Sequence, residues 1–287
     1  MYEFVYFGHD KTDVFTALAL DDVLTEKAVE TGKWFIRSYE FAKPSITIGI
    51  SEDLSDINFF EGIDYTRRRT GGSAIWLDDN ILAYAIVQPR KSFYPDVESA
   101  HHFFAHKIGL ALKEIGLPEV YIGGRYSISL SPDQYGIISG NSGYNTNNAF
   151  LYHGVIVVEQ LNIDVISKYI KLRKTEKVDE REMISRLPSL EKVSGTKISK
   201  AHLGKLIAHH VSSGNYRNAT EAERQEIFSR ANEISNKIYK NRDWIIGKGI
   251  NLRSHLGFCL IVLTDEWREE KFYSVEELQK KFSSTYL

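Results

Sequence analysis

Segments with strand character cluster in the middle of this chain, with helical periodicity on either side. That order constrains the fold more than any single residue does. Tyr2–Phe7 is rich in aromatic and β-branched residues and reads as a strand. Val14, Phe15, Leu18, Leu20, Leu24 and Ala28 recur at roughly helical spacing, which predicts an amphipathic helix over 12–30. Two strands are expected at Trp34–Phe41 and Ser45–Ile50, either side of the breaker Lys43-Pro44. Residues 63–70 and 73–88 read as paired strands, with Asp78-Asp79-Asn80 supplying turn chemistry. A helix is expected over 97–115, closed by Gly116, and strand-like segments return at 120–130, 135–139 and 150–160. Helices follow over 163–172, 200–211 and 220–238. Regular βαβ alternation is missing, so the expected class is α+β: a central, mostly antiparallel or mixed sheet flanked by helices.

Composition sets the remaining bounds. A chain of 287 residues builds a sizeable core as one large domain, or one domain with a small appendage. A composition shift near Asn241–Gly249 predicts a boundary, dividing 1–250 from a tail over 251–287. The tail offers one strand at Phe258–Leu263 and one helix at Val275–Phe282, too little for a core of its own. A net charge of −2 argues against nucleic acid or an anionic membrane as partner. One cysteine, Cys259, excludes an internal disulfide framework and a multi-cysteine zinc site. Met1–Gly8 lacks the pattern of a secretory signal, and no apolar run reaches the roughly 20 residues of a membrane span. The expected location is cytoplasmic.

The chemistry-bearing stretch is Arg67-Arg68-Arg69-Thr70-Gly71-Gly72-Ser73-Ala74. Paired glycines let backbone approach a ligand closely, and guanidinium forks suit carboxylate or phosphate oxygens. The plain alternative is a solvated, charged strand end before a hairpin. A second glycine-rich turn is read at Ile137-Ile138-Ser139-Gly140-Asn141-Ser142-Gly143, and Tyr152-His153-Gly154 opens the apolar run Val155–Val158.

Taken in order, these elements resemble the lipoate–protein ligase family, within the class II synthetase-related biotin/lipoate ligase superfamily. The resemblance includes Ala17–Asp22 in the first helix, the arginine–glycine–glycine turn, the Ser139-Gly140 turn and the His153-Gly154 pair. It continues through Ile184–Leu190 and Asp243-Trp244 before Gly247-Lys248, spanning about residues 1–250. Carried over by position, it implies that Arg68, Thr70, Gly71 and Gly72 line an acyl-adenylate pocket, with Ser73 and Ala74 against the acyl chain. Asp78 and Asn80 match the acidic and amide positions of the next turn. Ser139, Gly140, His153 and Gly154 complete the site, and Arg125 matches an arginine ahead of the second turn.

One position departs. The family carries a lysine where this chain has Ile137, and a fixed cation there stabilises charge building on phosphate during adenylation. Leu77 also stands where many members have histidine. Either another cation, from Arg125 or the Lys192–Lys200 segment, supplies the charge, or the chemistry is lost. Cys259, in an apolar run, reads as a small hydrophobe, which disfavours a thiol-dependent octanoyl transferase. His101-His102 with His106 reads as a solvated helix face, and no metal site is expected. Asn141–Asn148 reads as a mobile loop or as a flap over bound ligand.

The resemblance implies ATP- and Mg2+-dependent activation of lipoate, or a related medium-chain acyl acid, and transfer to a carrier lysine. The implied partner is a lipoyl domain of the 2-oxoacid dehydrogenase E2 or glycine-cleavage H protein type. Members of the family usually carry a larger accessory domain, and here either a separate accessory subunit completes the enzyme or the short tail substitutes for it. The alternatives are a non-catalytic member that binds the acyl ligand or the carrier, and a biotin transferase. Arg68 is the leading ligand contact, expected to aim into a solvent-filled cleft.

Overall fold

The computed structural model describes residues 2–89, 97–123, 127–132, 136–146, 148–172, 174, 179–250 and 272–283. Chain order begins β1 (Phe4–Thr12), α1 (Val14–Thr31), β2 (Trp34–Phe41), β3 (Ser45–Ile48), β4 (Asp64–Arg67), β5 (Ile75–Leu77) and β6 (Ile81–Pro89). It continues through α2 (Val97–Glu114), β7 (Tyr121–Gly123), β8 (Ile128–Ser129), β9 (Ile137–Asn145) and β10 (Ala149–Val157). Helices then dominate: α3 (Ile163–Tyr169), α4 (Glu180–Arg186), α5 (Leu190–Ser194) and α6 (Lys200–Ser212). After β11 (Tyr216–Asn218) come α7 (Glu221–Ile234), a π-helical turn at Ser235–Tyr239, and α8 (Arg242–Ile245). β12 (Phe272–Ser274) and α9 (Val275–Ser283) close the described chain.

The expected α+β class holds. The main sheet runs β11-β1-β2-β6-β10-β9-β8-β7-β12, parallel where β1 meets β2 and β11 and antiparallel elsewhere. β6 alternates between two cores: Ile81, Ala83, Ala85 and Val87 face the α1 side, whereas Leu82, Tyr84 and Ile86 face the side of α2 and α6. Burial on both faces explains its near-continuous apolar reading. Each fully buried aliphatic side chain there contributes about 1.5–3 kcal/mol.

Local signals set the ends of α1. The Asp13 carboxylate accepts from the Phe15 and Thr16 amides, and Gly32 closes the helix at a left-handed φ of 69°. β12 pairs with β7, while Val275 and Leu278 join the core on the α2 side. Residues 251–271, including the expected strand at Phe258–Leu263 and Cys259, lie outside the described residues.

Three expectations are corrected. Residues 63–70 and 73–88 do not pair with each other; β4 and β5 both pair with β3, which forms the middle of a separate three-stranded sheet. The second glycine-rich turn is strand: β9 runs unbroken through Ser139, Gly140 and Gly143, because β10 pairs along it from Ser139 to Asn145 and β8 adds a partner at Ile137 and Ser139. The supposed loop over Asn141–Asn148 is therefore mostly strand, and its turn is drawn tight where the Thr146 hydroxyl accepts from the Asn148 and Ala149 amides.

Candidate functional site

The site lies between the α1 face of the main sheet and the small sheet. Register places two cross-strand rows on that face. One row is Arg37–Ala85–His153–Ser142 and the next is Tyr39–Ala83–Val155–Gly140. Ala83, Ala85 and Gly140 keep the floor low between larger neighbours. Above it sit Leu18 of α1, Thr47 of β3, Ile75 and Leu77 of β5, and Arg68. The result is a narrow cavity of about 40 Å3, apolar along Leu18, Tyr39, Phe41, Ile75, Leu77 and Val155. Its polar rim comes from Arg68, Ser142 and His153, with the Asn141 backbone beside them, while the Asn141 side chain accepts from the Tyr84 hydroxyl on the opposite face.

The arginine run is a clamp on the glycine loop. Arg67, fully buried, donates through Nη1 to the Gly49, Ile50 and Glu52 carbonyls and through Nη2 to Ile245. The Trp244 indole donates back to the Arg67 carbonyl at 2.8 Å, which gives the Asp243-Trp244 segment a structural role. Arg68 is only 2% exposed. It donates to the carbonyls of Gly71 (2.7 Å), Ser73 (2.8 Å) and Thr47 (3.1 Å). The expectation that it points into a solvent-filled cleft is therefore corrected: Arg68 walls the cavity but staples the loop. The loop in turn sits hard against Gly49, where an added Cβ would lie 1.8 Å from the Gly72 carbonyl oxygen.

A buried polar chain that the sequence reading missed supports His153. Its Nδ1 lies 3.0 Å from Asp21 Oδ2, and its Nε2 lies 2.8 Å from the Thr70 hydroxyl. Asp21 Oδ1 accepts from Arg37 Nη1 at 3.0 Å, and the same nitrogen donates to the Ala17 carbonyl at 2.8 Å. Arg37 is 0% exposed and stacks 3.9 Å from the Tyr39 ring centre. Burial, reinforced by the nearby Asp21 charge, pushes the Tyr39 phenol far above its usual range. The sequence signal for this chain was an arginine inside an otherwise buried strand, which demands a carboxylate partner.

Other expected residues fall into four groups. Gly140, His153 and Gly154 line the cavity with Arg68. Gly154 has no room for a side chain: a Cβ would meet Asn141 Oδ1 at 2.1 Å and the Tyr84 hydroxyl at 2.5 Å. Thr70 and Ser139 lie behind the wall, bonded to His153 and to Tyr84 respectively. Gly71, Gly72, Ser73 and Ala74 shape the loop without lining the cavity. Asp78 and Asn80 belong to the β5–β6 turn, where the Asp78 carboxylate accepts from the Trp76 indole and the Asn80 amide.

Ile137 is fully buried in the core on the α1 side, and no lysine lines the cavity among the described residues. Lys200 is committed to Glu40 (3.1 Å) and Glu159 (3.6 Å), and Lys192 and Lys197 are exposed. Arg125 lies outside the described residues. The expected solvated histidines are corrected: His101, His102 and His106 are all buried. Burial pushes His101 and His106 down to about 4. No group of three or more potential metal ligands occurs among the described residues, and no described helix is long and apolar enough to cross a membrane.

Comparison with known proteins agrees with this architecture. A family model for the lipoyl protein ligase A/B catalytic domain matches residues 13–212. A lipoate–protein ligase A crystallised with ATP superposes with a TM-score of 0.69 at 19% identity, covering 85% of this chain and 99% of that one. A putative lipoate protein ligase from T. acidophilum with bound lipoic acid gives 0.69 at 20% identity, covering 86% and 99%. A structure of the bipartite lipoate protein ligase of Thermoplasma acidophilum and its E2 lipoyl domain gives 0.68 at 20% identity, covering 89% and 99%. No curated protein sequence matches.

Proposed function

The chain belongs to the lipoyl protein ligase A/B catalytic-domain family, and on that premise we propose that it activates lipoate, or a related medium-chain acyl acid, and transfers it to a lipoyl carrier domain. The carboxylate attacks the α-phosphorus of ATP and pyrophosphate leaves. The acceptor lysine then attacks the acyl carbonyl, AMP leaves and the amine gives up a proton. The observation that carries this reading is the narrow apolar cavity whose rim holds Arg68, His153 and Ser142. Apolar walls take the acyl chain and the polar rim orients its head. The work left to the protein is positioning and charge stabilisation, with no nucleophile of its own. Magnesium would enter with the nucleotide, held mainly by phosphate and water oxygens as is usual for this ion.

The partners belong to the same proposal. The acceptor is a lipoyl domain of the 2-oxoacid dehydrogenase E2 or glycine-cleavage H protein type. Residues 1–250 form the ligase-like unit and 251–287 a short extension, with a separate accessory subunit completing the enzyme. Incubation with ATP, Mg2+, lipoate and a lipoyl domain, followed by mass measurement of the acceptor, tests the reading. An acceptor of unchanged mass, with a candidate accessory protein also present, sinks it.

A second reading is favoured by the buried Ile137 and the lack of a cavity lysine among the described residues. In it the chain binds the acyl ligand without adenylating it. Removing a fixed cation costs about 3 kcal/mol in the transition state, roughly a hundredfold in rate. Ile137→Lys separates the readings: gain of adenylation in an otherwise inactive protein supports the second, and harm to an active one supports the first.

A further inference from the structure

Two hollows abut on the α1 face. Leu18, Arg68 and Ser142 line the inner, apolar one, while Asp22, Arg69 and Tyr144 line a wider outer one of about 420 Å3. Leu18 and Asp22 are one helical turn apart on α1, and Ser142 and Tyr144 alternate to the same face of β9. The hollows thus meet along one seam, and the Arg69–Asp22 ion pair stands on it.

Arg69 is held there from one edge only. Its Nε donates to both Asp22 oxygens at 2.9 and 2.8 Å, and Asp22 also accepts from the Tyr239 hydroxyl at 2.9 Å. The Trp244 ring centre lies 5.3 Å from the guanidinium carbon. These contacts fix the side chain, yet Nη1 and Nη2 make no hydrogen bond among the described residues, and the side chain is 30% exposed. The two neighbouring candidates differ. Arg68 spends its donors on loop carbonyls, and Arg37 is sealed at 0% exposure. Farther out, Lys237 makes no ion pair among the described residues, while Arg230 is paired with Glu233 at 2.9 Å.

We propose that Arg69 is the anion-binding group of this site. Its free guanidinium edge takes the carboxylate of the acyl ligand, and then the phosphate of the adenylate formed from it, at the seam between an apolar acyl chamber and a polar outer chamber. It thereby supplies the fixed positive charge that Ile137 does not. A planar fork held at Nε presents two parallel N–H bonds to two oxygens, which a point charge does not reproduce. The proposal rests on the acyl-ligand reading above.

Calorimetric titration of the full chain with lipoate and with its neutral amide, lipoamide, tests it. The native protein is expected to bind lipoate about tenfold more tightly than lipoamide. Arg69→Ala should bring the two within about twofold, the loss falling mainly on lipoate, and Arg69→Lys should fall between. Native protein that binds neither compound removes the acyl-ligand reading itself. A native protein that binds both equally overturns the proposal alone, as does an Arg69→Ala variant that retains lipoamide binding and the preference for lipoate. Should Arg69→Ala unfold because Asp22 is left unpaired, Arg69→Ala/Asp22→Asn removes both charges. Persistence of the preference in that double variant is equally decisive against Arg69.

Discussion

The buried pair beneath the cavity gives a sharp energetic prediction. Arg37→Met removes a guanidinium that is 0% exposed and leaves Asp21, at 2% exposure, without its buried cation and facing His153 and the Tyr39 phenol. Breaking a buried pair from one side costs about 3–5 kcal/mol, because the remaining charge has lost its partner and gained no water. For a chain of this size each kcal/mol is worth roughly 2–4 °C, so the melting temperature should fall by about 10 °C. Arg37→Met/Asp21→Asn should behave differently. It deletes both charges, together with the buried Arg37 Nε and Nη2 donors that have no acceptor. Its stability should lie within about 1 kcal/mol of native. Denaturant melts of the two variants supply the measurement. A single variant that loses less than about 1 kcal/mol, or a double variant as unstable as the single, would refute the reasoning that Arg37 and Asp21 form one electrostatic unit.

Further predictions follow the same geometry. Arg68→Ala should lower stability by about 2–3 kcal/mol, since the carbonyls of Thr47, Gly71 and Ser73 lose their donors together, and a thermal melt reads this. Gly154→Ala should cost about 1–3 kcal/mol in the same melt, because its Cβ would meet the Asn141 and Tyr84 side chains and fall 2.8 Å from the Gly140 carbonyl. His101 and His106, held near 4 when folded, take up protons on unfolding below about pH 6.5. Their neutral burial is therefore fully tolerated above that pH, and stability falls as pH drops from about 6.5 to 4, by up to roughly 3 kcal/mol for each histidine. Urea midpoints at pH 7.5 and 4.5 check the sign, and a flat profile would exclude it.

The sequence alone determined what depends on near neighbours in the chain. The helical spacing over 12–30 placed α1, the aromatic and β-branched run at Tyr2–Phe7 placed β1, and the absence of βαβ alternation pointed to the fold class. The motif order from Ala17 to Lys248 was enough to suggest the family. Tertiary structure decided everything that needs a partner from elsewhere. The arginine run looked like a ligand fork because sequence shows donors without acceptors. Those acceptors, at Thr47, Gly49 and Ile245, are brought in by β3 and α8. The glycines at 140 and 143 looked like a turn until β10 paired with them and made them strand. His106 looked solvated until α9 packed against α2. Arg37 and Asp21, 16 residues apart, meet only because strand register sets Arg37 and His153 on either side of Ala85, beneath α1. Periodicity says which face a residue takes; only the folded chain says what waits on that face.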